Sequence, residues 1–211
     1  MTRWTDAVGE ASAERYAERF TALAASGADV HGEASFCEQL APPGAHVLDA
    51  GCGTGRVAIE LSRRGFRCVG VDVDSSMISH ARRAAPDISW VEQDLTTLHL
   101  PERFDLVLAV GNVIPLLAPG TEAATLVQLA AHVDDGGVLV TGLGLDPAHL
   151  PLESAPFGLV EYDAWCEQAG LLLVDRFATW DRQPYGGGCY AVSVHHRGMA
   201  ASDISNRDST H

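Results

Sequence analysis

At residues 47–56 the chain reads VLDAGCGTGR, in which an apolar run ends in an acidic residue and a glycine then occupies every second position. A helical pattern begins directly afterwards, so the local order is strand, tight turn and helix. Glycine lacks a Cβ atom and adopts positive φ angles readily, which lets a ligand approach the main chain closely. In open α/β sheets this arrangement sets the N-terminus of a helix beside a nucleotide-like ligand. The stretch therefore predicts a ligand site at the carboxyl end of a buried strand.

Outward from this turn, predicted strands and helices alternate. Strands are predicted at 45–50, 67–72, 88–92, 104–110 and 137–143, and helices at 55–64, 75–84 and 121–132. The run Leu106-Val107-Leu108-Ala109-Val110 is continuously apolar, which is typical of a strand covered on both faces. The pattern favours a parallel sheet with helices on each side.

The two ends of the chain follow different patterns. The predicted elements there are helices at 7–25, 33–40 and 159–169 and strands at 171–180 and 189–196. The two strands are joined by a short connection, so we expect them to form an antiparallel pair. Residues 198–211 are rich in polar side chains and are expected to form a disordered tail. The predicted division is an N-terminal helical lid (1–44), an α/β domain (45–197) and the tail (198–211).

Composition narrows the function classes. The formal net charge is −14, which opposes general binding to nucleic acids or anionic membranes. The longest apolar stretch, 106–118, is interrupted by Asn112 and Pro115, so no membrane span is expected. Five cysteines without a CxxC pair, and no visible signal peptide, predict a cytoplasmic protein with free thiols. No metal-ligand spacing is visible, and the oligomeric state stays open.

Two ligand families compete for the glycine turn. Residues 53–58 satisfy G-x-G-x-x-G/A, so an NAD(P)-dependent oxidoreductase stays open as an alternative. Three features argue against that alternative. They are the acidic residue Asp49 before the glycines, the alternation of the glycines, and the antiparallel strand pair that closes the chain. Together these features resemble the class I S-adenosylmethionine-dependent methyltransferases over residues 45–196. The resemblance implies a Rossmann-like doubly wound seven-stranded sheet, mostly parallel with an antiparallel C-terminal hairpin, and S-adenosylmethionine as cofactor.

The resemblance also implies a set of cofactor-binding residues. These are Asp49, Gly51, Cys52, Gly53, Gly55, Asp72, Val73, Met77, Asp94, Leu95, Val110 and Gly111. The glycine turn and Asp49 would hold the methionine end, and Met77 would pack against adenine. Asp72 would accept hydrogen bonds from the ribose hydroxyls, a role that both ligand families require. Asp94 would accept from the adenine amino group.

Methyl transfer needs alignment more than side-chain chemistry, because the cofactor supplies the reactivity. If a base is needed, the candidates are His31, His99 and His149, and Asn112 is a candidate for orienting the substrate. Tyr16 is a candidate lid contact. The acceptor is expected to be a small molecule, because a proline-rich loop at 145–157 brings apolar residues to the expected pocket. A domain that binds the nucleoside cofactor without catalysis stays open as a further alternative.

Overall fold

The computed structural model describes residues 2–8 and 13–198, and these form one mixed sheet with helices on both faces. The strands are β1 (His46–Ala50), β2 (Arg67–Asp72), β3 (Ser89–Glu92), β4 (Phe104–Ala109), β5 (Val133–Gly144), β6 (Leu171–Phe177) and β7 (Tyr190–Arg197). The helices are α1 (Arg3–Val8), α2 (Ala13–Ala25), α3 (Gly32–Glu38), α4 (Arg56–Arg63), α5 (Ser75–Ala84), α6 (Glu122–His132) and α7 (Leu159–Gln168). Short 3₁₀ turns occupy Leu95–Thr97 and Ile114–Leu116.

The strand order is β3-β2-β1-β4-β5-β7-β6. The first five strands of this order pair in parallel, whereas β7 lies antiparallel between β5 and β6. The chain runs outward from β1 to β3 and then returns to place β4 on the other side of β1. This reversal opens a crevice at the carboxyl ends of β1 and β4, where open α/β sheets bind ligands. The predicted doubly wound seven-stranded sheet is therefore confirmed.

The core lies in two layers, one on each face of the sheet. One layer packs α6 and α7 against the sheet and includes Leu129 and Tyr162. The other packs α3 and α4 and includes Phe36 and Leu61. Each of these four side chains is at most 1% exposed. Full burial of a large apolar side chain stabilises the folded state by about 1.5 to 3 kcal/mol, so the two layers hold the crevice in place.

Three element boundaries differ from the sequence prediction. Of the predicted helix at 7–25, residues 7 and 8 belong to α1, which begins earlier, at Arg3, and residues 13–25 form α2, while 9–12 lie outside the described residues. Strand β5 begins at Val133 rather than 137, because Val133 pairs with Phe104 and a register shift absorbs the extra residues. Strand β6 ends at Phe177 because the Ala178 N–H donates to the carbonyl of Gln183 and closes a turn.

The predicted tail falls almost entirely on residues 199–211, outside the described residues. The division into lid and domain stays a prediction. Within 2–8 and 13–198, every helix is too short or too polar to cross a membrane.

Candidate functional site

A cavity lies at the carboxyl ends of β1, β2 and β4, in the crevice opened by the strand order. It encloses about 720 Å³ of non-protein space, counting its open mouth. Its lining residues are Thr2, Trp4, Tyr16, Gly51, Gly53, Asp72, Val73, Met77, Asp94, Leu95, Gly111, Val113, Leu116 and Leu117. Eight of the twelve residues predicted to bind a cofactor are in this set.

The three glycines of the turn differ in what surrounds them. All have positive φ angles, of 74° at Gly51, 54° at Gly53 and 84° at Gly55. A Cβ atom on Gly53 would meet nothing closer than 3.7 Å, whereas one on Gly55 would lie 2.4 Å from the Trp90 ring. A Cβ atom on Gly51 would lie 2.7 Å from a methyl group of Val113. Gly53 therefore leaves open space beside the cavity, and Gly55 makes room for a core side chain.

Asp72 ends β2 and ties the glycine turn to the next helix. Its Oδ2 accepts a hydrogen bond of 2.8 Å from the Gly53 N–H, and its Oδ1 accepts one of 2.9 Å from the Asp74 N–H. Burial raises the pKa of this carboxyl above its ordinary value. The helix cap is supplied by Asp74, whose Oδ1 accepts from the N–H groups of Ser76 and Met77. A carboxylate can accept several hydrogen bonds, so Asp72 can also accept from a ligand in the cavity.

The third strand contributes the far end of the cavity. Asp94 lies exposed at its edge, and its Oδ1 accepts two hydrogen bonds of 2.8 Å from Thr96. Met77 is 2% exposed and lines the cavity one turn into α5. Leu95 completes an apolar surface next to a carboxylate. This end of the cavity can hold a flat ring that carries a hydrogen-bond donor.

Four predicted cofactor residues lie outside the cavity lining: Asp49, Cys52, Gly55 and Val110. Cys52 packs in a small core cluster with Trp90, and Val110 packs in the layer of α3 and α4. Asp49 is 2% exposed, and its Oδ2 accepts a hydrogen bond of 3.2 Å from the N–H of Ala58 in α4. These residues pack in the core around the glycine turn and do not border the cavity.

The buried Asp49 carboxyl predicts a pH-dependent stability. Burial raises its pKa to about 7, against about 3.9 in an unfolded chain. The folded state therefore binds a proton that the unfolded chain releases. This stabilisation is full below about pH 4 and is lost as the pH rises through about 7. We expect Asp49→Asn, which keeps an acceptor for Ala58, to flatten the curve and to be more stable than the parent at pH 8 by on the order of 3 kcal/mol.

Urea denaturation between pH 4 and pH 8 measures this effect, with the exposed Asp87→Asn as the matched control. The control should follow the parent curve. If Asp49→Asn and the parent lost stability in parallel across this range, the buried carboxyl would not be the group that titrates.

The N-terminal segment roofs the cavity with Thr2, Trp4 and Tyr16. Trp4 and Tyr16 meet edge to face, with their ring centroids 5.7 Å apart. Arg3 anchors the segment, since its Nη1 donates to Glu122 at 2.7 Å and to the carbonyl of Leu117 at 3.1 Å. The sequence indicated Tyr16 but missed Thr2 and Trp4, because the six residues of α1 are too few to show a helical period.

None of the catalytic candidates lines the cavity. Both ends of the Asn112 amide are engaged, since Oδ1 accepts from the Gly144 N–H at 2.6 Å and Nδ2 donates to the carbonyl of His149 at 2.7 Å. This side chain joins the ends of β4 and β5 rather than facing a substrate. His149 lies on the surface with its Nδ1 2.7 Å from Asp146.

His31 lies 3.9 Å from Glu60, and His99 is exposed in a loop. Across residues 2–8 and 13–198, no histidine faces the cavity and no three metal-ligating side chains cluster. In the proline-rich loop, Leu150 and Phe157 are buried at 6% and 7% exposure, outside the cavity lining. The structure therefore gives no support to a base or an apolar wall from these positions.

Comparisons with known proteins agree on one family. A family model described as a methyltransferase domain matches residues 47–137. The dTDP-3-amino-3,6-dideoxy-alpha-D-glucopyranose N,N-dimethyltransferase of Streptomyces fradiae is 30% identical over 192 residues, which cover 86% of this chain and 71% of that protein. A TehB-like SAM-dependent methyltransferase structure from Corynebacterium glutamicum is 33% identical with a TM-score of 0.79, and the match covers 88% of this chain and 97% of that one.

Other relatives match over a shorter region. The trans-aconitate 2-methyltransferase of Azoarcus sp. is 32% identical over 117 residues, which cover 53% of this chain and 45% of that protein. A second N,N-dimethyltransferase, from Streptomyces venezuelae, is 28% identical over 54% of this chain and 50% of its own length. The chain thus spans about half the length of these two curated relatives.

Proposed function

The chain belongs to the class I S-adenosylmethionine-dependent methyltransferases, and from this premise we propose that it transfers a methyl group from S-adenosylmethionine to a small-molecule acceptor. The observation that carries the proposal is the cavity at the carboxyl ends of β1, β2 and β4. It combines bare main chain at Gly53 and Gly111 with carboxylates at Asp72 and Asp94.

The residues present fit this cofactor. A Cβ atom on Gly111 would have no neighbour within 4 Å, so the space beside this residue is open to a ligand. The ligand carries positive charge at its ammonium and sulfonium groups, and an acidic cavity favours such a ligand. Its adenosine carries ribose hydroxyls and an amino group, which are the donors that Asp72 and Asp94 can accept.

We assign the contacts from the cavity lining. Gly51, Gly53 and Gly111 border the methionine end, and Asp72 accepts from the ribose. The adenine lies against Met77, Val73 and Leu95, with Asp94 at its amino group. When bound, the cofactor supplies an electrophilic methyl group on sulfur. The chain holds that group in line with an acceptor and excludes water by means of the Trp4 and Tyr16 roof. Asp49, Cys52, Gly55 and Val110 are left out of the proposed contacts.

Three observations support a small-molecule acceptor inside the cell. The curated relatives are named for small acceptors, namely dTDP-linked amino sugars and trans-aconitate. The net charge of −14 opposes nucleic acids and anionic membranes as partners. All five cysteines are unpaired, which supports a reducing compartment such as the cytoplasm.

Calorimetry tests the cofactor. We expect S-adenosylhomocysteine to bind and NADH not to bind. Asp72→Asn should weaken S-adenosylhomocysteine binding by roughly 10- to 100-fold, since it removes a charged acceptor that also orders Gly53. Asp87→Asn, an exposed loop change, is the control and should bind like the parent.

Tight NADH binding without S-adenosylhomocysteine binding would overturn the proposal in favour of an oxidoreductase. Incubation with methyl-labelled S-adenosylmethionine and a metabolite extract tests the transfer itself. Cofactor binding with no labelled product would favour a domain that binds the cofactor without catalysis.

A further inference from the structure

A second groove lies between α2, α3 and the connection from β6 to β7. Phe20 and Trp180 stand on its walls, and Arg182 is among its lining residues. It adjoins the cofactor cavity through α2, because Phe20 packs against Tyr16 with ring centroids 5.1 Å apart. We propose that this groove, called here the Arg182 groove, binds a small apolar carboxylic acid. This inference does not depend on the proposed function.

The guanidinium of Arg182 is held in place by aromatic rings. It lies 4.6 Å from the Phe36 ring centroid and 5.6 Å from that of Phe177. Stacking of this kind occupies a face of the guanidinium and fixes its plane, whereas a carboxylate binds in that plane. Arg182 itself adopts a φ angle of 64°, in the left-handed region that non-glycine residues rarely occupy. The two ring contacts therefore restrict the position of the guanidinium.

The hydrogen-bonding capacity of Arg182 is largely unused. Its Nη2 donates to the carbonyl of Phe36 at 3.4 Å, and its buried Nε has no partner. None of the ion pairs among the described residues includes Arg182. A guanidinium has five N–H donors in a planar fork that matches a carboxylate. The chain has twice as many acidic as basic residues, yet the half-buried Arg182 is not paired with any of their carboxylates in the described residues. Its guanidinium is therefore suited to bind the carboxylate of a ligand.

Three carboxylates also line the groove, and their placement favours binding at Arg182. Glu33 is neutralised by Arg56, with which it forms a half-buried bidentate pair. Asp29 and Asp181 are exposed at the rim, so solvent and salt screen their charges. Asp29 accepts from the His31 N–H, and Asp181 accepts from the Thr179 hydroxyl. The charge that a buried ligand meets in the interior of the groove is therefore that of Arg182.

The side chains on the walls of the groove indicate the chemical character of the rest of the ligand. Trp180 packs edge to face on Phe36 at 5.5 Å between centroids, and Phe20 carries the Arg56 guanidinium at 4.5 Å from its centroid. Leu23, Ala28 and Val30 add aliphatic surface. An aromatic or aliphatic body with one terminal carboxylate matches this combination of walls and cation.

Fluorine NMR titration with three isosteric probes tests the inference. The probes are 4-fluorophenylacetate, the neutral 4-fluorophenylacetamide and the cationic 4-fluorophenethylamine. We expect the carboxylate to bind saturably and at least about tenfold more tightly than the other two. Arg182→Met should reduce carboxylate affinity roughly tenfold or more, since it keeps the apolar stem and removes the fork. Arg63→Met is the control, because that side chain is 71% exposed on α4, and it should bind like the parent.

Parallel titration with S-adenosylhomocysteine separates the groove from the cofactor site, and Arg182→Met should leave that affinity unchanged. Equal binding of the three probes, preference for the amine, or full carboxylate binding by Arg182→Met would overturn the inference. If thermal melting shows that Arg182→Met is unfolded, Arg182→Lys replaces it and should lose part of the affinity, because lysine keeps the charge without the planar fork. Loss of S-adenosylhomocysteine binding with the carboxylate site intact would instead count against the proposed function.

Discussion

A Gly53→Val variant is expected to lose S-adenosylhomocysteine affinity by about 100-fold or more while it stays folded. The Cβ atom at this position would lie 3.7 Å from the Tyr16 ring, so it meets no hard contact. The two methyl groups of valine extend beyond that point into the space that we assign to the cofactor's methionine end. The φ angle of 54° also strains a β-branched residue, at a cost of about 1 to 2 kcal/mol in folding free energy. Calorimetry measures the affinity, and thermal unfolding verifies the fold.

Gly65→Val is the matched control for this prediction. Gly65 also has a positive φ angle, of 93°, and a Cβ atom there would meet nothing within 4 Å. It follows α4 and is absent from the cavity lining. The control should lose similar stability and bind S-adenosylhomocysteine normally. If Gly53→Val bound the ligand like the parent, the turn would serve only to connect β1 to α4.

Gly55→Ala is expected to have the opposite profile, with a large loss of stability. A Cβ atom here would lie 2.4 Å from the Trp90 ring, and the φ angle is 84°. Trp90 is 6% exposed and also packs over Gly70, where a Cβ atom would lie 2.3 Å away, so the ring has little room to move. Overpacking together with backbone strain should lower the unfolding free energy by about 3 kcal/mol or more. Urea denaturation measures this change.

A double-mutant cycle isolates the cause. In a Trp90→Leu background the clash is removed, and Gly55→Ala should then cost only the backbone strain of about 1 to 2 kcal/mol. The same cost in both backgrounds would show that Trp90 is not the obstacle. The two expected results together would show that neighbouring glycines in one motif have different roles. Gly53 would be needed for ligand binding, and Gly55 for packing of the core.

Much of the fold followed from local patterns. The strand, turn and helix at 47–56 depend on residues close in sequence, and the structure has them where they were predicted. The apolar runs of β1 and β4 predicted strands covered on both faces, and Val47 and Leu106 are fully buried. The start of β5 was not predictable in this way, because it depends on a register shift against β4.

The site was harder to predict from the sequence where the surroundings of a residue come from distant parts of the chain. The alternating glycines look equivalent in sequence, and only Trp90, which comes from β3, distinguishes Gly55 from Gly53. The amide of Asn112 looked free for a substrate, but it is engaged by the end of β5 and the loop after it. Arg182 gave no signal at all, since its ring partners Phe36 and Phe177 come from distant elements.

The anchoring of Arg3 has a kinetic consequence. Its ion pair with Glu122 leaves these side chains only 18% and 6% exposed, so parting them leaves a poorly solvated carboxylate behind. Thr2 and Trp4, which line the cavity, belong to the segment that Arg3 holds. With the cofactor in this cavity, as we propose, we expect cofactor entry and product release to require residues 2–8 to detach, so that the rate of detachment limits turnover.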